Sequence, residues 1–213
     1  MTFLKSNQHP HVPIFLWIAV VWAALIFGIA AKSDSGTALR FNGLNSVVSI
    51  SNNASLNAYP LTVSTWFRCQ TGTLNQQVLV SKYFNTNYNG WALTIYNGFL
   101  RGFYYANGSG NKAIDTYSVP TVTDGTWHHA ALVVDSGGGR LYLDGNMIAT
   151  NSWSGTKGAV TTTAPVTLGN LADLTIPLSG DLDEVTLWNR ALTANELNYL
   201  KHRQLSGSED GLV

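Results

Sequence analysis

From residue 33 onward, hydrophobic and polar residues alternate in short runs separated by Gly, Asn and Asp. The run LTVSTWFRC (Leu61 to Cys69) sets Leu, Val, Thr, Phe and Cys against Thr, Ser, Trp and Arg. A period of two, rich in β-branched and aromatic residues, predicts a strand. The same pattern predicts strands over 38–41, 47–50, 78–82, 91–96, 99–105, 128–134, 140–143, 147–150, 166–168 and 180–188. Asn97-Gly98, Asp124-Gly125, Gly137-Gly138-Gly139 and Asp144-Gly145-Asn146 stand between them as turn signals. Closely spaced strands with no helices among them predict an all-β antiparallel sandwich. The pattern changes near the end, where Thr193-Ala-Asn-Glu196 forms a capping box. It predicts a short C-terminal helix running to about Arg203, followed by a frayed tail over 206–213.

A different pattern occupies the start. Residues 14–31, IFLWIAVVWAALIFGIAA, are apolar or Gly throughout. As a helix this run would be about 27 Å long, near the ~30 Å of a bilayer's hydrocarbon core. It reads as one transmembrane helix over 13–31, or as a signal peptide whose Gly28 and Ala30 mark a cleavage site. The run is longer than a usual signal core, and Lys5 is its only preceding basic side chain, so an uncleaved anchor is the first expectation. The chain then divides into a short tail (1–12), the anchor (13–31), a linker (32–36), the sandwich (37–205) and the C-terminal tail (206–213). Trp17 and Trp22 would face lipid or a partner span. The Asn-, Thr-, Ser-, Gly- and Trp-rich body is expected on the extracytoplasmic side.

Charge narrows the partners. Charged residues make up 11% of the chain and its formal net charge is zero, against roughly 25% charged in an average domain. No basic surface is available for phosphate, which excludes nucleic-acid binding. Cys69 is the single cysteine, so neither an intrachain disulfide nor a cysteine metal cluster can form.

Three segments in order resemble one family. ALRFNGLNSVVSI (38–50), DGTWHHAALVVDSGGGRLYLDGNMI (124–148) and LGN followed by LSGDLDEVTLWNRALTANEL (168–170 and 178–197) resemble the laminin-G-like branch of the concanavalin A-like lectin and glucanase superfamily. The resemblance implies a concanavalin A-like jelly-roll sandwich of a mostly non-catalytic kind that binds sugars or proteins. It also implies a calcium site built from the Asp of the closing strand and the acids of the opening turn. Asp183 matches the first, but Asn42 and Asn45 stand where carboxylates would be. Two charges are missing from a site that favours them, so any calcium affinity should be weak.

Other chemistry is sparse. Glycoside hydrolysis uses a pair of carboxylates, and the dense acidic stretch is Asp181-Leu182-Asp183-Glu184. The glucanase pattern Glu-x-Asp-x-Glu is absent from the sequence, so no enzymatic activity is expected. His128 and His129 are adjacent on a strand and should point to opposite faces, one buried with a hydrogen-bond partner and one exposed. Sugar binding would use aromatic faces and amides, and Tyr83, Asn87 and Tyr88 crowd one loop, with Tyr104 and Trp153 elsewhere. Two functions follow, in this order. The first is a membrane-anchored protein-interaction or structural subunit, with membrane lipid and other subunits of a complex as partners. The second is a carbohydrate-binding module, secreted or tethered, with a glycan as ligand.

Overall fold

A computed structural model of the chain describes residues 32–33, 38–69, 74–84, 87–203 and 205–213. The strands are β1 (Lys32–Ser33), β2 (Leu39–Asn42), β3 (Val48–Ile50), β4 (Leu61–Cys69), β5 (Gln76–Tyr83), β6 (Gly90–Tyr96) and β7 (Phe99–Tyr105). They continue with β8 (Lys112–Thr121), β9 (His128–Asp135), β10 (Gly138–Leu143), β11 (Asn146–Asn151), β12 (Val166–Leu168) and β13 (Ser179–Trp188), and one helix, α1 (Ala194–Leu200), follows. Seven strands form a first sheet in the order β1-β2-β13-β4-β9-β10-β11, and six form a second in the order β3-β12-β5-β6-β7-β8. Every pairing is antiparallel. The two sheets face each other over a core that includes Phe67, Trp91, Leu93, Leu100, Leu132 and Leu182.

The fold is the expected antiparallel sandwich, with two strands added, the two-residue β1 in the expected linker and β8. Nothing in the alternation announced β8. Ala113 and Ile114 are both buried although adjacent, because a bulge between Tyr104 and Tyr105 shifts the register opposite them. Pro120 lies near the strand's end, which β8 tolerates as the edge of its sheet.

The outer face of the first sheet carries a second apolar layer, where Ala131, Val133, Tyr142, Trp188, Leu192 and Leu197 pack together under α1. Thr62 therefore points away from the main core and is still buried, its hydroxyl accepting from Leu192 N–H at 2.9 Å and donating to the Arg190 carbonyl at 2.8 Å. The capping box of α1 is present on both sides. The helix closes at Leu200 rather than near Arg203, with the Lys201 N–H reaching the Leu197 carbonyl at 3.0 Å. Nor does the C-terminal segment fray: Leu212 bridges Trp188, and the Val213 N–H donates to the Leu187 carbonyl at 2.9 Å.

Among the described residues, no helix is long and apolar enough to cross a membrane. The apolar run 14–31, with Trp17 and Trp22, lies outside the described residues.

Candidate functional site

Part of the first sheet's outer side is covered by α1 and the C-terminal segment, whereas the outer face of the second sheet holds an open cleft of about 230 Å³. Strand register builds it. Tyr83 on β5, Gly90 on β6 and Tyr105 on β7 lie side by side. Next come Ser81, Ala92, Phe103 and Asp115, then Val78, Thr94, Arg101 and Tyr117. Period two places alternate residues of each strand on this face. Leu171 and Ile176 line the cleft from the segment after β12, and Tyr88 from the β5–β6 connection.

Gly90 is restricted to glycine. Its φ of +140 lies in the positive region, and a Cβ there would stand 2.1 Å from the Lys82 carbonyl oxygen. The gap it leaves between Tyr83 and Tyr105 is bordered by other rings. Tyr83 meets Phe103 edge-on at 4.9 Å, Phe103 lies 5.8 Å from Tyr105, and Tyr88 meets Tyr105 edge-on at 5.2 Å. Such T-shaped contacts set a positive ring edge against a negative face. Tyr88 is 49% exposed and holds a φ of +48, an uncommon conformation for an aromatic residue. Its carbonyl accepts from the Gly108 N–H at 2.8 Å, tying it to the β7–β8 turn.

Polar groups occupy the other half. Asp115 accepts from Arg101 Nε at 2.9 Å and Nη2 at 2.8 Å through Oδ1, and from the Tyr105 hydroxyl at 2.5 Å through Oδ2. Burial and the Asp115 carboxylate both push the Tyr105 phenol up, so it stays a proton donor. Burial likewise raises Tyr83, with Tyr88 adding to it. The Arg101 guanidinium lies 5.1 Å from the Phe103 ring centre and 5.4 Å from that of Tyr117. Gln76 and Thr94 complete the lining. The Thr94 hydroxyl is buried with no partner among the described residues, which is unusual for a buried polar group.

The aromatic and amide candidates separate. Tyr83 and Tyr88 line the cleft and Asn87 is exposed beside Tyr88. Tyr104 and Trp153 do not join them. Tyr104 points into the sandwich, fully buried, donating to the Gly158 carbonyl at 3.0 Å and accepting from Val160 N–H at 3.1 Å. Trp153 packs edge-on against Tyr104 and Tyr59 and donates to the Asp135 carbonyl at 2.6 Å. Both are held by the interior rather than offered to a ligand.

The calcium candidates do not converge. Asn42 Oδ1 accepts the Leu44, Asn45 and Ser46 N–H groups at 2.9, 3.1 and 3.3 Å, while its amide donates to Asn45 Oδ1 at 3.2 Å. These bonds close the turn with the two Asn side chains. Asn42 pairs with Ser179, and Asp183 lies four residues further along β13, or about 13 Å at the strand rise. Asp183 Oδ1 instead accepts the Glu184 N–H at 2.8 Å, at a bulge where Glu184 has φ +48. Among the described residues no group of three or more His, Cys, Asp or Glu side chains could hold a metal ion.

The two histidines point to opposite faces, as expected. His128 lies between Asp144, with Nδ1 2.9 Å from Oδ2, and Asp124, with Nε2 3.2 Å from Oδ1. His129 is the buried one, edge-on to Trp66 at 5.4 Å, and it departs from expectation because its Nδ1 has no partner among the described residues. Asp181 is an ion-pair centre, accepting from Arg40 Nε at 2.9 Å and Arg68 Nη2 at 2.7 Å in a second cleft of about 240 Å³ on the first sheet.

Gln76, Thr94, Arg101, Phe103 and Asp115 escaped the sequence reading as site residues, whereas Tyr105 follows directly on the candidate Tyr104. They come from four strands whose neighbours in space are set by pairing, and only the Phe99–Tyr105 alternation hinted that Arg101, Phe103 and Tyr105 share a face.

The fold is an antiparallel jelly-roll sandwich with part of one sheet capped and a cleft on the outer face of the other. Residues 41–198 match the Laminin_G_3 family, described as the Concanavalin A-like lectin/glucanases superfamily, and the chain belongs to it. No curated protein matches the chain. Solved structures do. The CBM40 of the Ruminococcus gnavus IT-sialidase, bound to α2,3 sialyllactose, superposes with a TM-score of 0.62 at 18% identity, over 78% of this chain and 96% of that one. A Bacteroides ovatus protein assigned as carbohydrate-binding gives 0.64 at 16% identity, over 83% of this chain and 50% of its own. A Trypanosoma rangeli sialidase in complex with the inhibitor DANA gives 0.62 at 16% identity, over 80% of this chain and 28% of its own. This chain thus spans half of the second protein and little more than a quarter of the third. At such identities the likeness is one of fold.

Proposed function

We propose that the chain is a non-catalytic carbohydrate-binding module whose binding surface is the cleft on the outer face of the β3-β12-β5-β6-β7-β8 sheet. The observation that carries this reading is the meeting, in one cleft, of the exposed Tyr88 ring and three buried rings with an Arg–Asp–Tyr network and an unpartnered threonine hydroxyl. Aromatic lining with a few placed polar groups is what small-ligand sites use. Apolar C–H faces of a sugar ring suit the aromatic half, and its hydroxyls suit the polar half. The carbohydrate-binding assignments of two fold neighbours support the same reading.

This places the glycan reading ahead of the protein-interaction subunit that the apolar N-terminus suggested first. In the proposal, residues 14–31 tether the module and the sandwich is extracytoplasmic. Asp115 is the carboxylate bordering the cleft among the described residues, and it is engaged by Arg101 and Tyr105. A pair of free carboxylates is what hydrolysis would use. The test is glycan-array binding by the full chain and by Tyr88→Ala, with thermal unfolding measured alongside. Tyr88→Ala should keep its unfolding temperature within a few degrees and lose about five- to a hundredfold in affinity, taking ring stacking on one aromatic at the ~1–3 kcal/mol known for nucleobases. Absence of glycan binding by the unaltered chain would sink the reading.

A further inference from the structure

We propose that the cleft selects a neutral sugar residue and rejects sialylated glycans, an inference that rests on the carbohydrate-binding reading above. The evidence is how the cleft's charge is used. Among the described residues lining it, Arg101 is the single cation. Two of its nitrogens, Nε and Nη2, are already held by Asp115 at 2.9 and 2.8 Å. Arginine can grip a carboxylate through a two-nitrogen fork, and here Asp115 Oδ1 occupies the Nε–Nη2 side of the guanidinium. An incoming sugar carboxylate would meet a pair of zero net charge, with the Asp115 carboxylate close behind the guanidinium. Removing its hydration would then be uncompensated, and the like charge would repel it.

The neutral half of the cleft is built for a ring. Tyr88 is the exposed ring and meets the buried Tyr105 edge-on at 5.2 Å, while Tyr83 and Phe103, 4.9 Å apart, are buried beside them. Gln76 and the unpartnered Thr94 hydroxyl are the neutral polar groups of the lining available to sugar hydroxyls. A volume of about 230 Å³ falls below the ~300–1,000 Å³ of drug-sized ligand sites, which fits one sugar residue rather than an extended acidic oligosaccharide. This sets the chain apart from the fold neighbour bound to α2,3 sialyllactose, with which it shares 18% identity.

The experiment is an array carrying neutral di- and trisaccharides, with α2,3- and α2,6-sialylated partners for each galactose-terminated member. It is probed with the full chain, Tyr88→Ala and Asp115→Asn. We expect binding to neutral glycans, at least about tenfold weaker binding to their sialylated partners, and loss of binding in Tyr88→Ala. Asp115→Asn keeps the side chain's shape and its acceptor oxygen but removes the charge. It should shift the neutral-to-sialylated affinity ratio about tenfold toward the sialylated partner. An unshifted ratio in a folded Asp115→Asn protein would overturn the charge argument. Equal or stronger binding of sialylated glycans, abolished by Tyr88→Ala, would overturn the inference and leave the carbohydrate-binding reading standing. Sialylated binding indifferent to Tyr88→Ala would put the ligand outside this cleft and overturn the inference. Absence of binding to any glycan would remove both.

Discussion

Lys82 carries its ammonium into the sandwich rather than out to water. The residue is fully buried, and its Nζ donates to Asn52 Oδ1 at 2.6 Å and to the Ala164 carbonyl at 2.5 Å. Neither of these partners bears a charge, so burial dominates and lowers the amine to about 8 from 10.5. Between those values the unfolded chain holds a proton that the folded one has released. Stability therefore rises with pH across that interval, and the charged lysine opposes folding below it by roughly 3 kcal/mol. Lys82→Met removes that pH dependence, and it also leaves two oxygens without their donor, which offsets part of the gain. The difference in urea midpoint between Lys82→Met and the unaltered protein should shrink steadily from pH 8 to pH 10.5. A difference that stays constant over that range would mean the amine titrates as it does in water.

At the scale of elements, α1 and the sheet beneath it trap an imidazole. His129 projects from β9 toward Trp66, whose indole N–H donates to the Lys201 carbonyl at 3.0 Å just past α1. Burial lowers His129 to about 4, Lys201 and His202 add to the effect, and Asp144 opposes it. The unfolded imidazole takes up its proton near 6.5, so stability falls as pH drops from there to about 4, by up to roughly 3 kcal/mol. His129→Leu should lose that acid sensitivity, read as the change in urea midpoint between pH 7 and pH 4. Parallel losses in the two proteins would assign the acid sensitivity to other groups. The capping box that starts this helix was legible in Thr193-Ala-Asn-Glu196, because its chemistry is local. Alternation in LTVSTWFRC was equally legible, but not that Thr62 and Ser64 would be buried too, since the layer above them comes from residues more than a hundred positions away. The pair Tyr104-Tyr105 shows the limit most directly. Period two requires the two rings to diverge, and only the pairing of β7 with β6 and β8 decides that Tyr104 enters the core while Tyr105 lines the cleft. The cleft was half visible for the same reason: Tyr83 and Tyr88 are close in sequence, and their partners are not.

Taken whole, the molecule is two-faced. One sheet gives part of its outer side to α1 and the C-terminal segment and holds the Asp181 cleft beyond them; the other carries the aromatic cleft. The first sheet is also where the proposed tether arrives, because β1 begins at Lys32, immediately after the apolar run, and pairs with β2 at that sheet's edge. In the proposal, a tether joining the chain at that edge would leave the cleft of the other sheet free for a glycan. The full chain should therefore sediment with membranes, resist alkaline carbonate extraction, and still hold membrane vesicles on immobilised glycan when the sandwich faces outward. Loss of vesicle capture in Tyr88→Ala, with sedimentation unchanged, would separate tethering from recognition. A chain recovered in the soluble fraction with a mass lacking the apolar run would make that run a signal peptide. The module would then be a secreted one, and glycan binding by the released protein would decide its function without reference to any membrane.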